Sequence, residues 1–357
     1  MNERLSAFKS NDLVGIDELV EYAMLEDLIF KCDATNLETI ESMIKKYDEA
    51  IIRQIILYCA EVRRSEFPYL LKIWKMLPQT SKKFPKNAFV KYLCQKGQLP
   101  YSSNTYKNYE KIFERNSLEE IIYNNDFDKF VSFYDTCTNI EEKTFTFGYE
   151  IYNVLQFAAF CRSVNIFKYL VLEGLKIDDS VAESAVCGGD LQIISICMEN
   201  GINLIKFLPQ AIEYHHNDVV EWMINNFPLT QSINYLTPAA ESFNTTAFIY
   251  FFGEYLDAAK KSNSQDFSMI WAKGLNVNIR TFFNENHPLV VAACAGNFEV
   301  AKFLIKNGAN PNLEDSKGTS IATYANIYDC RMFKDYLKSL NDKKPIIVKI
   351  RIQDDLD

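Results

Sequence analysis

Residues 287–312 read HPLVVAACAGNFEVAKFLIKNGANPN, and this stretch decides the fold. It predicts two short helices, because each of the two glycines, Gly296 and Gly308, closes an apolar helical run. Glycine takes a positive φ without a Cβ clash, so it suits the residue just past a helix. Ala292 and Ala293 are small, which lets the first helix approach a neighbouring helix closely.

The second predicted helix, FEVAKFLIKN, has one apolar face. Val300, Phe303 and Leu304 are spaced i, i+3 and i+4, which places their side chains on one stripe. Pro288 suits the first turn of the other helix, where its missing N–H has no partner to lose. A single helix pair cannot bury such faces alone, so the pattern predicts further pairs stacked against it.

The stretch resembles one ankyrin repeat, which that family writes as T-P-L-H-x-A-A, a glycine, a second helix and G-A-D-x-N. His287 stands in place of the family's threonine and Val290 in place of its histidine, which weakens the capping and turn hydrogen bonds. The resemblance implies an all-α fold, an ankyrin-type helical solenoid of stacked antiparallel helix pairs. It also implies that the chain holds a partner and carries out no chemistry.

Further copies of the pattern lie on both sides of this stretch. Downstream, GTSIATYA restarts the pattern at Gly318. The upstream copies NVLQFAAFCRSVNIFKYLVLEG, SVAESAVCGGDLQIISICMENG and LPQAIEYHHNDVVEWMINNF end at Gly174, Gly201 and Phe227. Their alanines are only 27 and then 26 residues apart, against about 33 in the family, at Ala158, Ala185 and Ala211. Because both helices of each copy are intact, we expect helix pairs with little or no projecting hairpin.

The segment from 228 to 268 departs from this spacing. Alanine pairs occur at Ala239–Ala240 and again at Ala258–Ala259, only 19 residues apart, so both cannot be complete repeats. Although Gly274–Asn278 matches the terminal turn of a repeat, we expect one enlarged unit with inserted helical residues, TTAFIYFFGEYLDAAKK. The apolar run 247–252 within it is too short to span a bilayer.

Residues 1–108 are expected to form a helical N-terminal region with weaker repeat character. LETIESMIKKYD, AIIRQIILYCAEVRR and FPYLLKIWKML all have helical periodicity, and Pro68 is placed to start the last of them. The polar stretch QKGQLPYSSNTYKN, residues 95–108, is the best boundary. Whether this region consists of divergent repeats or of a distinct domain stays open.

The repeat array is expected to cover residues 117–340. It opens with Ser117 and Glu120, which are spaced as a capping box. Residues 126–133 then resemble the outer helix of a divergent first repeat. The whole arrangement, from the helical N-terminal region through SLEEII to AAFCRSVNIFKYL, is similar to the expanded ankyrin families of parasitic protists.

Residues 341–357 form a different, β-prone acidic tail. KPIIVKIRI, residues 344–352, is rich in β-branched residues, and QDDLD follows it. The tail could lie across the last repeat and shield its apolar surface, which we favour, or it could be a short motif that a partner reads.

Composition and charge limit the classes of partner. The chain has 357 residues, of which 48% are hydrophobic, enough for a sizeable core. The net charge is −9, and no lysine or arginine cluster stands out, so nucleic acid and anionic membranes are not expected as partners. The acidic balance favours a partner with a basic surface.

The cysteines and the start of the chain indicate a cytoplasmic protein. The first 25 residues carry charges throughout and contain no apolar segment of the secretory type. Nine cysteines without a C-x-x-C motif indicate reduced thiols, which act as small apolar residues within the helices. The chain also has an adjacent pair, His215 and His216. We expect one of them packed and one solvated, and we expect no metal site, since neighbouring helical positions point about 100° apart.

Searches for catalytic motifs give nothing. The chain has no G-x-G-x-x-G, no Walker lysine loop, no G-x-S-x-G and no H-E-x-x-H. We therefore expect no enzymatic activity and no cofactor.

The resemblance places the partner-binding residues on the hairpins and on the inner helices, the first helix of each repeat. The hairpin candidates are Asn278, Arg280, Asn284, Glu285, Asp315 and Lys317. The inner-helix candidates follow the alanine pair and are Cys294, Ala295, Phe160 and Cys161. Phe160 is either an aromatic anchor for a partner or a packing residue against the neighbouring repeat.

These features favour a protein-binding scaffold or adaptor. The alternative is a regulatory or inhibitory subunit that uses its tail or its inserted segment to occupy the site of an enzyme. A motif-free enzyme is a third hypothesis, for which stabilisation by a nucleotide or a metal would be the sign.

Overall fold

Helices dominate the part of the chain that the computed structural model describes, residues 13–63, 66–79, 84, 88–99, 113–137, 139–147, 150–229, 232–261 and 287–342. The N-terminal helices are α1 (Ile16–Phe30), α2 (Leu37–Ile44), α3 (Glu49–Val62), α4 (Phe67–Met76) and α5 (Ala88–Gln95). Three of these match the predicted segments, whereas α1 and α5 were not predicted. Pro68 lies in the first turn of α4, as its sequence position indicates.

Seven helix pairs follow in the described residues. Pair 1 is α6 (Leu118–Tyr123) and α7 (Phe127–Tyr134), and pair 2 is α8 (Val154–Phe160) and α9 (Val164–Leu172). Pair 3 is α10 (Asp179–Gly188) and α11 (Leu191–Glu199), and pair 4 is α12 (Leu208–Glu213) and α13 (Asn217–Asn226). Pair 5 is α14 (Leu236–Glu241) and α15 (Thr245–Lys261), pair 6 is α16 (Pro288–Ala295) and α17 (Phe298–Lys306), and pair 7 is α18 (Ile321–Ile327) and α19 (Arg331–Asp342). In each pair the first helix is the inner helix and the second is the outer helix.

The chain divides into two compact units, and the N-terminal helices contribute to both. The first unit contains Glu26–Ser42 and Ile55–Thr230, and therefore pairs 1 to 4. The second unit contains Asn2–Leu25, Met43–Gln54 and Gln231–Asp357, and therefore pairs 5 to 7. The boundaries expected from the sequence, at residues 108, 117 and 341, stay predictions.

One turn geometry recurs between the two helices of every pair. Each turn has a single residue with positive φ, between 51° and 82°, and these residues are Asn125, Arg162, Gly189, His215, Phe243, Gly296 and Asp329. Only two of the seven are glycines, so glycine alone does not mark the turn. In six of the seven turns the next residue donates its N–H to the carbonyl five positions earlier, at 2.8–3.0 Å, as in a Schellman motif.

The residue four positions before each such turn residue is the small residue of the pattern. It is alanine in pairs 2 to 7 and is fully buried there, at Ala158, Ala185, Ala211, Ala239, Ala292 and Ala325. Pair 1 has Ile121 at this position, also buried. Inner helices pack side by side at these alanines, α10 against α8 and α12 in the first unit and α16 against α14 and α18 in the second. The alanines therefore set how closely neighbouring pairs stack.

The connections between pairs differ, as their spacing predicts. An antiparallel hairpin, β1 (Thr144–Phe147) and β2 (Glu150–Asn153), leads into α8, and Phe145 lies opposite Tyr152 in it. By contrast, residues 173–178 and 200–207 contain no strand, and the second stretch holds a 3-10 turn at Leu204–Phe207. The shortened middle repeats are thus confirmed as helix pairs without a hairpin.

Pair 5 lies in the segment that the sequence predicts to be an enlarged unit. Ala239 and Ala240 are fully buried in α14, which packs against α16, so this alanine pair belongs to the inner helix. Ala258 and Ala259 lie near the end of the 17-residue outer helix α15. That residues 228–268 form a single enlarged unit stays a prediction, because part of this segment lies outside the described residues.

The predicted capping box at the start of the array is present in a modified form. Ser117 Oγ accepts the N–H of Glu120 at 3.2 Å, which caps α6 as expected. The Glu120 carboxylate accepts the N–H of Asn116, one residue before the cap, because Asn116 has a φ of 61° that turns its N–H toward the helix. The N–H of Ser117 donates instead to the Glu114 carbonyl at 3.1 Å, so both N–H groups of the capping box have a partner.

Candidate protein-binding surface

In the first unit, the N-terminal helices lie against the turns that join inner to outer helices. The guanidinium of Arg63 donates to the carbonyl oxygen of Tyr214 at 2.8 Å. The ring of Phe30 stacks on His215 with a centroid separation of 3.4 Å. The side chain of Asn217 donates to the carboxylate of Asp27 at 3.1 Å. These contacts cover the end of pair 4 at which its inner helix finishes.

In the second unit, α1 and the turn before α3 make corresponding contacts. The Asn307 amide group bonds both the N–H and the C=O of Val14, each at 3.1 Å. The hydroxyl of Tyr22, which is fully buried, lies 3.4 Å from the Asn297 side-chain oxygen. The Asp48 carboxylate accepts the N–H of Met332 at 3.0 Å. Asn307 follows α17, whereas Asn297 and Met332 lie just past the inner-to-outer turns of pairs 6 and 7. In both units the chain therefore covers part of the turn edge of its own repeats.

His216 fixes one of these contacts. Its ring is 5% exposed, with Nε2 2.8 Å from the carbonyl oxygen of Cys187 and Nδ1 3.3 Å from the Arg63 guanidinium. A carbonyl only accepts and a guanidinium only donates, so His216 is neutral and carries its proton on Nε2. His215 is buried as well, at 3% exposed. The expectation that one histidine of the pair is solvated was wrong, because the N-terminal helices cover both.

We expect the first unit to lose stability in mild acid because of His216. Burial, together with the Arg63 and Arg162 guanidinium groups, holds the pKa of this imidazole well below its usual value. The unfolded chain therefore takes up the proton first. The contribution of neutral His216 to the free energy of unfolding is therefore complete above a pH of about 6.5. Below that pH it falls by up to about 1.4 kcal/mol per pH unit. Urea unfolding between pH 8 and pH 5 measures the slope.

His216→Gln is the matched control for that slope, because the glutamine amide can replace both hydrogen bonds without titrating. The variant should be less stable at pH 8 yet depend less on pH than the wild type between pH 7 and pH 5. Equal slopes for the two proteins would show that His216 does not carry the pH dependence.

Within each unit, the inner helices present a row of accessible side chains, two residues after the pattern alanine or, in pair 1, after Ile121. We call these positions the inner-helix row. In the first unit they are Tyr123, Phe160, Cys187 and Glu213, and in the second unit they are Glu241, Cys294 and Ile327. None of the seven is buried, and Ile327 is 63% exposed. The alanines next to the row are fully buried and nearly uniform, whereas the row itself mixes aromatic, acidic, thiol and aliphatic side chains.

In the second unit, residues 314–320 form a hairpin closed by an antiparallel bridge between Glu314 and Ser320, and four of the predicted residues lie in this hairpin or in the neighbouring helix α16. Cys294 and Lys317 are exposed, and Ala295 and Asp315 are half-buried. The hydroxyl of Tyr328 donates to the Cys294 carbonyl at 2.7 Å. Inner helices α16 and α18 are thereby joined beside Cys294.

The carboxylate of Asp315 has a structural role in this hairpin. It accepts the Tyr324 hydroxyl at 2.6 Å and the N–H groups of Lys317 and Thr319 at 2.8 and 2.7 Å. The Tyr324 bond and these N–H groups lower the pKa of Asp315 to about 2. The carboxylate therefore shapes the turn that carries Lys317, while direct contact of Asp315 with a partner stays a prediction.

In the first unit, Phe160 packs within a group of rings. Its ring centroid lies 5.4 Å from Phe147 and 5.1 Å from Tyr152, both in the hairpin, and 6.1 Å from Tyr214 at the end of α12. The side chain of Phe160 is half-buried, so part of the ring packs within the unit, while its contact with a partner stays a prediction. Cys161, the other candidate here, is half-buried, and burial raises the pKa of its thiol.

Several predicted features lie outside the described residues. These are the hairpin candidates Asn278, Arg280, Asn284 and Glu285, the terminal turn Gly274–Asn278 and the tail after residue 342. The alternative function through the tail or the inserted segment therefore stays a hypothesis. Sequence reasoning missed Tyr214 and Tyr328, whose signal is a tyrosine three residues after a pattern alanine, and Tyr324, which directly precedes the pattern alanine Ala325.

No helix among the described residues is long and apolar enough to cross a membrane. The same residues bring together no group of three histidine, cysteine or carboxylate side chains that could hold a metal ion.

Comparison with known families supports the repeat assignment locally. The ankyrin repeat family matches residues 284–316, which include pair 6. A family described as a domain of unknown function (DUF3447) matches residues 173–251, which include pairs 3 and 4 and most of pair 5. The ankyrin repeat that the sequence predicts at residues 287–312 is thus confirmed. The similarity to the ankyrin families of parasitic protists stays a prediction.

One curated relative and two solved structures are similar to parts of the chain. The ankyrin repeat and KH domain-containing protein mask-1 of Caenorhabditis elegans is 35% identical over 65 residues, which is 18% of this chain and 2% of that protein. The human ASB11 ankyrin repeat domain is 16% identical, with a TM-score of 0.42, over 65% of this chain and 99% of that chain. A Bdellovibrio bacteriovorus structure, the Bd0816 predatory endopeptidase in complex with the immunity protein Bd3460, is 20% identical, with a TM-score of 0.38, over 54% and 99%.

Proposed function

We propose that this chain is a non-catalytic scaffold or adaptor that holds a partner protein with its inner helices and hairpins. The observation that carries the proposal is the inner-helix row, in which accessible side chains of varied chemistry stand on a uniform, buried frame. Such a surface can change its side chains without disturbing the packing beneath it, which is the property of a binding surface.

The contacts of the N-terminal helices support the same assignment. They occupy the turn edge in each unit, through Arg63 and Asp27 in the first and Tyr22 and Asp48 in the second. A partner is therefore directed to the inner-helix row and the hairpins. Ankyrin repeats generally bind proteins, and the repeat at residues 284–316 extends that expectation to this chain.

Cys294 offers a direct test, because it is the one exposed cysteine among the described residues. Burial raises the pKa of the Cys32 thiol to about 12 and that of Cys197 to about 12, which makes these thiols slow to react. A thiol-reactive photocrosslinker should therefore label Cys294 first. After illumination in extract of the source cells, we expect one discrete protein to be crosslinked to the chain.

The matched control moves the label to an outer helix of the same unit. In the double variant Cys294→Ser, Asp335→Cys, the new thiol replaces a carboxylate whose side chain is 75% exposed on α19. We expect no discrete crosslink from that position. A discrete crosslink from Asp335→Cys and none from Cys294 would contradict the proposal.

A further inference from the structure

The first unit carries a strip of aromatic rings beside the inner-helix row. Tyr152 of β2 lies 5.1 Å from Phe160 of α8, and Phe160 lies 6.1 Å from Tyr214 in an edge-to-face arrangement with an interplanar angle of 86°. Phe160 and Tyr214 are both half-buried, so part of each ring is in reach of solvent. The strip crosses from the hairpin of pair 2 to the end of the inner helix of pair 4.

Two carboxylates border this strip. Glu150 is exposed on β2, and Glu183 is half-buried on α10, between the two helices that supply Phe160 and Tyr214. Glu150 and Tyr152 are two residues apart on β2, so they are on the same face of the hairpin. Burial raises the pKa of the Tyr152 phenol, and the charges of Glu150 and Glu183 raise it further. Within the described residues neither one has a lysine or arginine partner.

The side chains nearest Glu183 do not neutralise it. The Gln210 amide donates its Nε2 to the Glu183 carboxylate at 3.0 Å, a neutral contact. The Gln210 Oε1 atom is buried and accepts no hydrogen bond from the described part of the chain. An incoming N–H donor next to Glu183 would satisfy it.

The arginines of this region donate to backbone carbonyls at the C-terminal ends of the inner helices, where the strip finishes at Tyr214. Arg162 Nε donates to the carbonyl of Gly188 at 2.5 Å, and Arg63 donates to the carbonyl of Tyr214. Glu183 precedes Gly188 by five residues in α10, which corresponds to about 7 Å along the helix. The hairpin end of the strip therefore keeps its negative charge.

We propose that this strip docks a basic segment of the partner, with an arginine or lysine side chain over the solvent-accessible part of the Phe160 ring and in reach of Glu150 and Glu183. The negative faces of aromatic rings attract a guanidinium or ammonium group, and the carboxylates pair with the same charge. The inference rests on the proposed function and adds the chemistry of the partner to it.

A fluorescein-labelled octa-arginine peptide tests the strip in the full-length chain, with fluorescence anisotropy as the readout. The double variant Glu150→Gln, Glu183→Gln removes both charges and preserves side-chain size. We expect it to bind the peptide about fivefold more weakly than the wild type. Phe160→Leu, which keeps an apolar side chain, should weaken binding about threefold through the lost ring.

The control removes the same number of charges elsewhere in the same unit. Glu173→Gln, Glu199→Gln changes two exposed carboxylates beside outer helices and should leave the affinity within about twofold of the wild type. Thermal unfolding confirms that each variant is folded. Equal losses in the two double variants, or no binding to the wild type, would overturn the proposal. Because the Cys294 crosslink probes the other unit, a partner captured there would leave the proposed function standing in either case.

Discussion

Gly188→Ala is expected to lower the free energy of unfolding of the first unit by about 3 kcal/mol. A Cβ atom at this position would lie 2.5 Å from the carbonyl oxygen of Ala159 and 2.8 Å from that of Phe160. Both obstacles are backbone atoms of the neighbouring inner helix α8, so no side chain can rotate away. The helices α8 and α10 would have to separate at their closest approach.

The sign of this prediction opposes helix propensity. Gly188 is the last residue of α10 and does not have a positive φ, so alanine alone would favour the helix by about 1 kcal/mol. Urea unfolding of the wild type and the variant measures the difference. A stabilised variant would show that the two helices are not in backbone contact there.

Gly201→Ala is the matched control for this substitution. Gly201 has a φ of +84°, and a Cβ atom there would meet nothing within 4 Å. The control should therefore cost only the strain of left-handed backbone, about 1 kcal/mol. If Gly201→Ala proved as costly as Gly188→Ala, the loss at Gly188 could not be assigned to the neighbouring helix.

Ala292→Leu should cost the second unit about 3 kcal/mol through the same inner-helix packing. Ala292 is fully buried in α16, which packs between α14 and α18. The larger side chain would push at least one of these helices away. Thermal and urea unfolding of the full-length chain report the loss.

Ala295→Leu tests whether the loss in free energy of unfolding depends on the buried position of Ala292 and not on the introduction of a leucine into α16. Ala295 is on the same helix but is half-buried beside the inner-helix row. Its substitution should change the free energy of unfolding by less than about 1 kcal/mol. Similar costs at Ala292 and Ala295 would contradict the assignment of the two positions to buried frame and accessible surface.

The repeats could be predicted because their packing depends on small residues at a fixed place. An alanine at the inner-helix contact is a steric requirement, so Ala158, Ala185, Ala211 and Ala292 were all visible in the sequence. The missing hairpins were predictable for a similar reason, since the helices have a minimum length and only the connection can shorten.

The turns and the N-terminal contacts could not be predicted. Arg162 and Phe243 lie in turns with positive φ, although arginine and phenylalanine have no local preference for that conformation. Their residue types therefore gave no sign of a turn in the sequence. The bonds of Arg63 to Tyr214 and of Tyr22 to Asn297 join residues more than 150 positions apart, and no local pattern encodes them. Local composition likewise gave no sign that both histidines would be covered.

Part of the binding surface was predictable and part was not. Cys294 and Lys317 are exposed, which agrees with their assignment as candidates, although contact with a partner remains to be measured. Asp315 was chosen as an accessible charge, yet its carboxylate is held by Tyr324 and by two N–H groups of its own turn. A short turn with several N–H donors favours a nearby carboxylate as their acceptor. The sequence does not show which of the neighbouring carboxylates accepts these bonds.

Hydrogen exchange of the chain with and without the partner crosslinked at Cys294 tests the central claim most directly. The account predicts slower exchange in the hairpin and inner helices, in segments 150–160, 288–295 and 318–327. Exchange in the outer helices, such as 191–199 and 331–342, should not change. Slower exchange confined to the outer helices would contradict the assignment of partner binding to the inner-helix row and the hairpins.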